Sequence, residues 1–125
     1  MNEKKREKQE SNLLELGLME PGDKLVDFLQ ASYVDKVLPG IGQWKQGWAY
    51  FTEKKFICMT GFLTDNIVIP YEDIRNLEKC SQFFFPMGIA ITYINKEKGK
   101  EEKAKVSMMK RDKWIEFMKE KARLY

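Results

Sequence analysis

Short apolar runs separated by polar turns dominate the middle of the chain. Residues 47–76 read GWAYFTEKKFICMTGFLTDNIVIPYEDIRN, with polar breaks at 52–55 and 64–66 and a new segment from Pro70. Each run is only a handful of residues long and rich in aromatic and β-branched types, which is typical of strands rather than helices. The pattern therefore predicts consecutive antiparallel strands, a β-meander.

Both faces of this predicted meander carry apolar side chains. Trp48 and Tyr50 alternate with Ala49 and Phe51. Two-sided strands suit a sheet that curls tightly, so that one face fills the interior while a helix covers part of the other. Pro70 has no amide hydrogen, which confines it to an edge or a bend.

Strands are also predicted on either side of the meander. Residues 24–37 partly match both the helix and the strand pattern, and we favour a strand because a Pro-Gly pair precedes it and its end is rich in β-forming residues. Residues 87–94 and 103–109 alternate apolar and polar positions around a polar turn at 95–100.

Apolar residues also occur where the pattern predicts loops. The segment 38–46 bends at its proline and glycines yet carries Ile41 and Trp44. Such side chains either pack back over the core, which we favour, or stay exposed as a contact site. The three adjacent phenylalanines at 83–85 cannot all face one side of a strand. At least one covers a second core layer, the favoured interpretation, or contacts a partner.

The two ends of the chain change to helical patterns. Residues 1–10 are charged or amide, leucines follow, and Pro21 stops the segment, which predicts a helical extension over 1–22 whose last turns dock. A basic arm for nucleic acid or lipid is the alternative, and the interspersed glutamates weaken it. Apolar positions at helical spacing over 110–125, led by Trp114, predict one amphipathic closing helix.

Length and charge bound the class of protein. The chain has 125 residues, enough for one domain, and its 22 basic and 19 acidic side chains leave a formal net charge of +3. The two cysteines, Cys58 and Cys80, lack the spacing of a disulfide scaffold, so we expect reduced thiols. Without a signal segment or an apolar stretch of about 20 residues, a cytoplasmic location is expected, with peripheral membrane attachment left open.

Catalytic residue types are scarce. The sequence contains no histidine, which excludes Ser-His and Cys-His pairs and imidazole zinc sites. We interpret Asp65, Glu72 and Asp73 as backbone hydrogen-bonding residues at turns rather than a catalytic pair. Gly40 and Gly42 lack the Gly-Lys-Ser/Thr that completes a phosphate loop. We therefore expect no enzyme activity, no metal and no cofactor.

Four short segments resemble the GRAM branch of the pleckstrin-homology (PH) superfamily. They are GWAYFT at 47–52, KFIC at 55–58, IPYEDI at 69–74 and MKRDKW at 109–114. In that family a G-x-hydrophobic-x-hydrophobic-Thr strand, an Ile-Pro-hydrophobic-x-x-Ile element and an Arg-Asp start of the last helix recur in this order. The resemblance spans about residues 24–124, and its motifs are mostly structural.

The resemblance implies a mainly β fold, a PH-like curled antiparallel β-barrel of about seven strands capped by a C-terminal amphipathic helix. The expected division is an extension at 1–22 and a PH/GRAM-like domain at 23–125. Members of the family are non-enzymatic modules that bind phosphoinositides, other lipid headgroups or proteins. Lipid-binding members carry several basic residues on the first two strands, whereas this chain offers only Lys24, Lys36 and Lys45 there.

Two binding sites follow as hypotheses. The first is an anion or lipid patch on one hairpin, with an ordinary solvated hairpin as its alternative, formed by Lys96, Lys98, Lys100, Lys103 and Lys105. The second is a protein-contact surface outside the strand core, formed by Leu13, Leu16, Ile41 and Trp44.

The expected partner is another protein or a membrane phospholipid headgroup, and a homodimer is left open. A nucleic acid is the weakest alternative, because the aromatic residues lie at core-like strand positions, away from the basic ones.

Overall fold

Two α-helices and seven strands make up the part of the chain that the computed structural model describes, residues 2–34, 44–60, 66–82 and 85–124. In chain order the elements are α1 (Glu3–Glu15), β1 (Leu25–Val34), β2 (Trp44–Thr52), β3 (Lys55–Met59), β4 (Ile67–Pro70), a 3₁₀ turn (Tyr71–Asp73), β5 (Ile74–Gln82), β6 (Phe85–Asn95), β7 (Lys100–Met108) and α2 (Arg111–Ala122).

The strands form one curled sheet in the order β4-β3-β2-β1-β7-β6-β5, with every neighbouring pair antiparallel. Strand β1 joins the two halves, because it pairs with β2 along its length and with β7 at Ala31 to Tyr33. The predicted fold class is confirmed: a seven-stranded curled antiparallel sheet with a helix at each end of the chain.

The inner face of the sheet is the main core, and α2 closes it. Phe51, Phe56 and Ile91 are fully buried there. Trp114 of α2 stacks on Phe51, with ring centroids 4.0 Å apart and planes 7° from parallel. Phe117 adds an edge-on contact to both rings. The apolar face predicted for the last helix is therefore the face that fills the barrel.

Helix α1 covers part of the outer face. Leu13 is fully buried against Tyr50 and Ile57 in a second apolar cluster. The Tyr50 hydroxyl donates to Gln9 at 3.1 Å, and the Glu10 carboxylate accepts from the backbone N–H at the start of β1. The expectation that a helix covers the second apolar face of the meander is confirmed.

Three strand boundaries differ from the prediction. Trp44 belongs to β2 rather than to a loop ending at residue 46, because β1 is long enough to pair Val34 with Trp44. Strands β6 and β7 are longer than predicted because their register pairs Asn95 with Lys100 and leaves only a short turn between them. Charged residues at an exposed strand end cost little folding free energy. The polar sequence at 95–100 therefore did not show that the strands continue into it.

The residues behind the family resemblance hold turns and elements together. The Thr52 hydroxyl donates to the buried Asp23 carboxylate at 2.6 Å and accepts from the N–H of Lys55. Tyr71 donates its hydroxyl to the Thr52 carbonyl at 2.7 Å. The Arg111 guanidinium reaches the Cys80 carbonyl at 3.1 Å, which ties the start of α2 to β5.

Candidate functional site

A cleft of about 960 Å³ opens at one end of the barrel. We call it the open-end cleft. It lies between the end of β1, the β3–β4 region and the turn that joins β6 to β7, and its walls include Tyr33, Val34, Ile67, Tyr93 and Ala104. Half of its sixteen lining residues are apolar or aromatic and half are polar or charged. Such a surface can anchor an apolar side chain and orient the polar groups around it.

One lysine of the predicted anion patch lies at the rim of this cleft. The Lys96 ammonium is 3.1 Å from the carboxylates of Glu72 and Asp73. Asp73 is almost fully buried, whereas Lys96 is exposed. These hydrogen bonds, to Asp73 first, raise the pKa of Lys96. Glu72 and Asp73 thus contact a side chain across the fold, which corrects their interpretation as backbone hydrogen-bonding residues.

A second lysine is paired in the same way. The Lys98 ammonium lies 3.4 Å from the Glu102 carboxylate, which also accepts a hydrogen bond of 3.2 Å from the Tyr93 hydroxyl. Burial, followed by the nearby Glu102 charge, raises the pKa of Tyr93 to about 12. Tyr93 therefore stays a neutral donor at physiological pH.

These pairs set the charge of the cleft. Its lining carries three acidic side chains and two basic ones, a net charge of −1, formed by Asp73, Glu97, Glu102, Lys96 and Lys98. Glu72, which pairs with Lys96, brings the net charge to −2. The ion pairs are exposed and add little stability, but the carboxylates cancel the positive potential of the lysines. A ligand with several phosphates would therefore have to displace the carboxylates before it could bind the lysines.

The other three lysines of the predicted patch lie elsewhere. Lys103 and Lys105 project from the outer face of β7, since Ala104 between them is buried in the core. Lys100 begins β7 opposite Asn95. Among the described residues none of the three has a carboxylate within ion-pair distance. The structure therefore places two of the five lysines at the cleft rim and two on the outer face of β7, with Lys100 at the turn between β6 and β7.

The residues of the predicted protein-contact surface are also separated. Leu13 is fully buried under its own helix, so it packs in the chain's core and corrects the expectation that it contacts a partner. Leu16 is exposed beyond the end of α1. Trp44 is half-buried at the start of β2. Tyr50, which packs on Leu13, is six residues further along the same strand, so Trp44 lies roughly 20 Å from that contact. Ile41 lies outside the described residues.

The described residues offer little for catalysis. Burial raises the pKa of Cys58 to about 12, and burial also raises the pKa of Cys80, so neither thiol is an activated nucleophile. No group of three acidic or cysteine side chains that could hold a metal occurs between residues 2–34, 44–60, 66–82 and 85–124. Asp65 lies outside these ranges. None of the helices in them is long and apolar enough to cross a bilayer.

Sequence reasoning missed the partners that neutralise the lysines. Asp73 and Lys96 are 23 residues apart and meet only because the barrel curls, and no local pattern signals such a contact. The pairing of Lys98 with Glu102 could have been noticed, since an i,i+4 spacing across a tight hairpin turn places the two side chains on one side.

Comparison with solved structures supports the fold. The C-terminal domain of an unknown protein from Leishmania infantum matches with a TM-score of 0.65 and 15% identity, over 94% of this chain and 96% of that one. The Slm1 PH domain in complex with inositol 4-phosphate matches with a TM-score of 0.54 and 8% identity, over 80% of this chain and 94% of that one. The Vps36 N-terminal PH domain matches with a TM-score of 0.51 and 16% identity, over 84% of this chain and 80% of that one.

Identities this low establish a PH-like fold and nothing finer. No protein-family model matches the sequence, and no curated protein matches it.

Proposed function

We propose that this PH-like chain is a non-enzymatic recognition module whose open-end cleft binds a segment of another protein. One observation carries the proposal: the lysines at the cleft are already paired with carboxylates of the same chain. The cleft therefore presents a mixed apolar and polar surface with a slight acidic excess. This surface suits a peptide with an apolar anchor and a neutral or basic flank better than a phosphorylated inositol.

The assignment to the GRAM branch, the domain boundary at 22/23 and a cytoplasmic location stay predictions from the sequence. None of them changes the chemistry of the cleft. The Slm1 structure contains inositol 4-phosphate, and this makes a lipid headgroup the natural competing ligand to test.

The experiment compares two substitutions on the same strand. Val34 is half-buried in the cleft wall, whereas Gln30 is exposed four residues earlier on β1. Arginine at position 34 would block the cleft and add a charge, and arginine at position 30 adds the same charge away from it. Peptides selected from a random display library on the wild-type protein are measured by calorimetry against both variants.

We expect the selected peptides to bind the wild type and Gln30→Arg equally and to lose at least tenfold in affinity for Val34→Arg, as for the loss of an anchor pocket worth about 1.4 kcal/mol or more. Thermal unfolding checks that both variants fold. Peptides that bind Val34→Arg as tightly as the wild type would refute the cleft as the site.

A lipid headgroup is the second candidate, and the exposed lysines on the outer face of β7 favour it. Lys103 and Lys105 are two positions apart on one face and have no acidic partner among the described residues. Vesicles with 30% phosphatidylserine would then sediment the wild type but not the Lys103→Glu/Lys105→Glu variant. Equal sedimentation of the two proteins would exclude this patch.

A further inference from the structure

A second concave surface lies at the other end of the β6–β7 hairpin. On β7, Met108 of this surface lies four residues from Ala104 of the open-end cleft, roughly 13 Å along the strand. It is a recess of about 420 Å³ between the start of β6, the end of β7 and the first turn of α2. We call it the Phe85–Met109 recess.

The walls of the recess are apolar and unusually open to solvent. Phe85 is 63% exposed and Met109 is 67% exposed, the highest values among the large apolar side chains of the described residues. Pro86, Met87 and Met108 complete the apolar lining. Methionines adapt their shape to what they contact, and an exposed apolar recess of this kind marks an interaction site more often than a fold requirement.

The rim of the recess is basic. Three cations and one acid of its lining lie there, a net charge of +2, formed by Lys110, Arg111, Lys113 and Asp112. Lys79, which is outside this lining, is a further cation next to Asp112. The single carboxylate is shared by two of the cations, at 3.0 Å from the Arg111 Nε and 3.5 Å from the Lys79 ammonium. Lys110 and Lys113 are exposed and have no carboxylate within ion-pair distance among the described residues.

The backbone at Lys110 adds a second observation. Its φ of 55° lies in the left-handed region, which favours glycine, and its side chain makes no capping hydrogen bond to α2. A lysine in this conformation strains the start of the helix, and although its carbonyl accepts from the N–H of Trp114 at 3.3 Å, its side chain contributes nothing to the cap. Its cationic side chain is nevertheless held at the rim of the recess.

From this charge and shape we infer that the Phe85–Met109 recess binds an acidic segment of a partner protein, one with a bulky apolar residue between aspartates or glutamates. The apolar residue would fill the recess, and the acidic flanks would face Lys110 and Lys113. A concave recess favours a protruding side chain over a flat lipid surface. The site is independent of the open-end cleft, and its ligand has the opposite charge preference.

The test uses a labelled synthetic peptide with two leucines flanked by aspartates and glutamates, and the same peptide with Asn and Gln in place of the acids. Two recess variants are each matched with a control: Phe85→Ser with Trp48→Ser, another exposed aromatic, and Lys110→Gly with Lys54→Gln, another exposed lysine. Glycine fits the left-handed backbone, so Lys110→Gly should unfold at the same or a higher temperature.

We expect saturable binding of the acidic peptide in fluorescence anisotropy, weakened about tenfold by Phe85→Ser and about threefold by Lys110→Gly. The controls and the cleft variant Val34→Arg should bind as the wild type does, and the neutral peptide should bind more weakly. Because Val34→Arg leaves the recess intact, failure of the cleft proposal and failure of this one are distinguishable.

Absence of saturable binding would overturn the inference, as would equal binding by Phe85→Ser and the wild type. Vesicles of 30% phosphatidylserine form the last arm. If they sediment the wild type and not Phe85→Ser, while the acidic peptide does not bind, the recess is a lipid contact and the protein-partner inference is wrong.

Discussion

The stacked pair Phe51–Trp114 should couple α2 energetically to the sheet. The rings lie 4.0 Å apart at 7°, and both side chains are at most 3% exposed. Replacing either ring by leucine keeps an apolar side chain in the core but removes the stacking. We expect each of Phe51→Leu and Trp114→Leu to cost about 1–3 kcal/mol of unfolding free energy, because some cavity remains.

The informative quantity is the coupling between the two changes. Contacting aromatic pairs contribute about 0.5–1.5 kcal/mol beyond area burial, so the double variant should be less destabilised than the sum of the singles by about that amount. Urea unfolding followed by far-UV circular dichroism measures all four proteins without relying on tryptophan fluorescence.

The control pair is Phe28 with Trp48, whose ring centroids are 6.0 Å apart with Trp48 45% exposed. This pair should couple more weakly, by less than about 0.5 kcal/mol. A coupling of zero for Phe51 with Trp114, or one no larger than in the control pair, would refute the claim that α2 closes the barrel through this stack.

Three further predictions test other contacts. Leu13→Ala should lower the unfolding free energy by about 2–4 kcal/mol in urea titrations, whereas exposed Leu16→Ala should change it by less than about 0.5 kcal/mol. Thr52→Val should cost about 1–3 kcal/mol, since it leaves the buried Asp23 carboxylate without its 2.6 Å donor; Thr52→Ser should recover much of the loss. Burial raises the pKa of Cys58 from 9.0 to about 12, so the unfolded chain releases this proton at lower pH than the folded one. Stability should therefore fall between pH 9 and 12, by up to about 1.4 kcal/mol per pH unit for this group, and less steeply in Cys58→Ala.

The strands and the last helix were predictable because their information is local. Short runs of aromatic and β-branched residues, and the helical spacing that begins at Trp114, each determine one element. The presence of apolar residues on both faces of β2 even indicated a covering helix. That pattern could not distinguish Leu13 from Leu16, because both are leucines near the end of one polar segment and only the docked geometry of α1 buries the first.

The candidate site was less predictable because its contacts are not local. The density of lysines near residue 100 suggested one anionic-ligand patch. The curl of the sheet instead pairs Lys96 with Asp73, from a distant segment, while strand alternation directs Lys103 away from the cleft. The exposed Phe85 was included in a recognised aromatic run, but its solvent exposure depends on where β6 begins.

Amide chemical-shift mapping on the isotope-labelled protein tests the central claim most directly. A display-selected peptide should shift amides at the end of β1, in β4 and in the β6–β7 turn, and inositol phosphates at the same concentration should leave those amides unchanged. Two results would contradict the claim that the open-end cleft binds a protein segment rather than a phosphorylated ligand. One is saturating shifts of the same amides by an inositol phosphate, and the other is peptide-induced shifts confined to other surfaces.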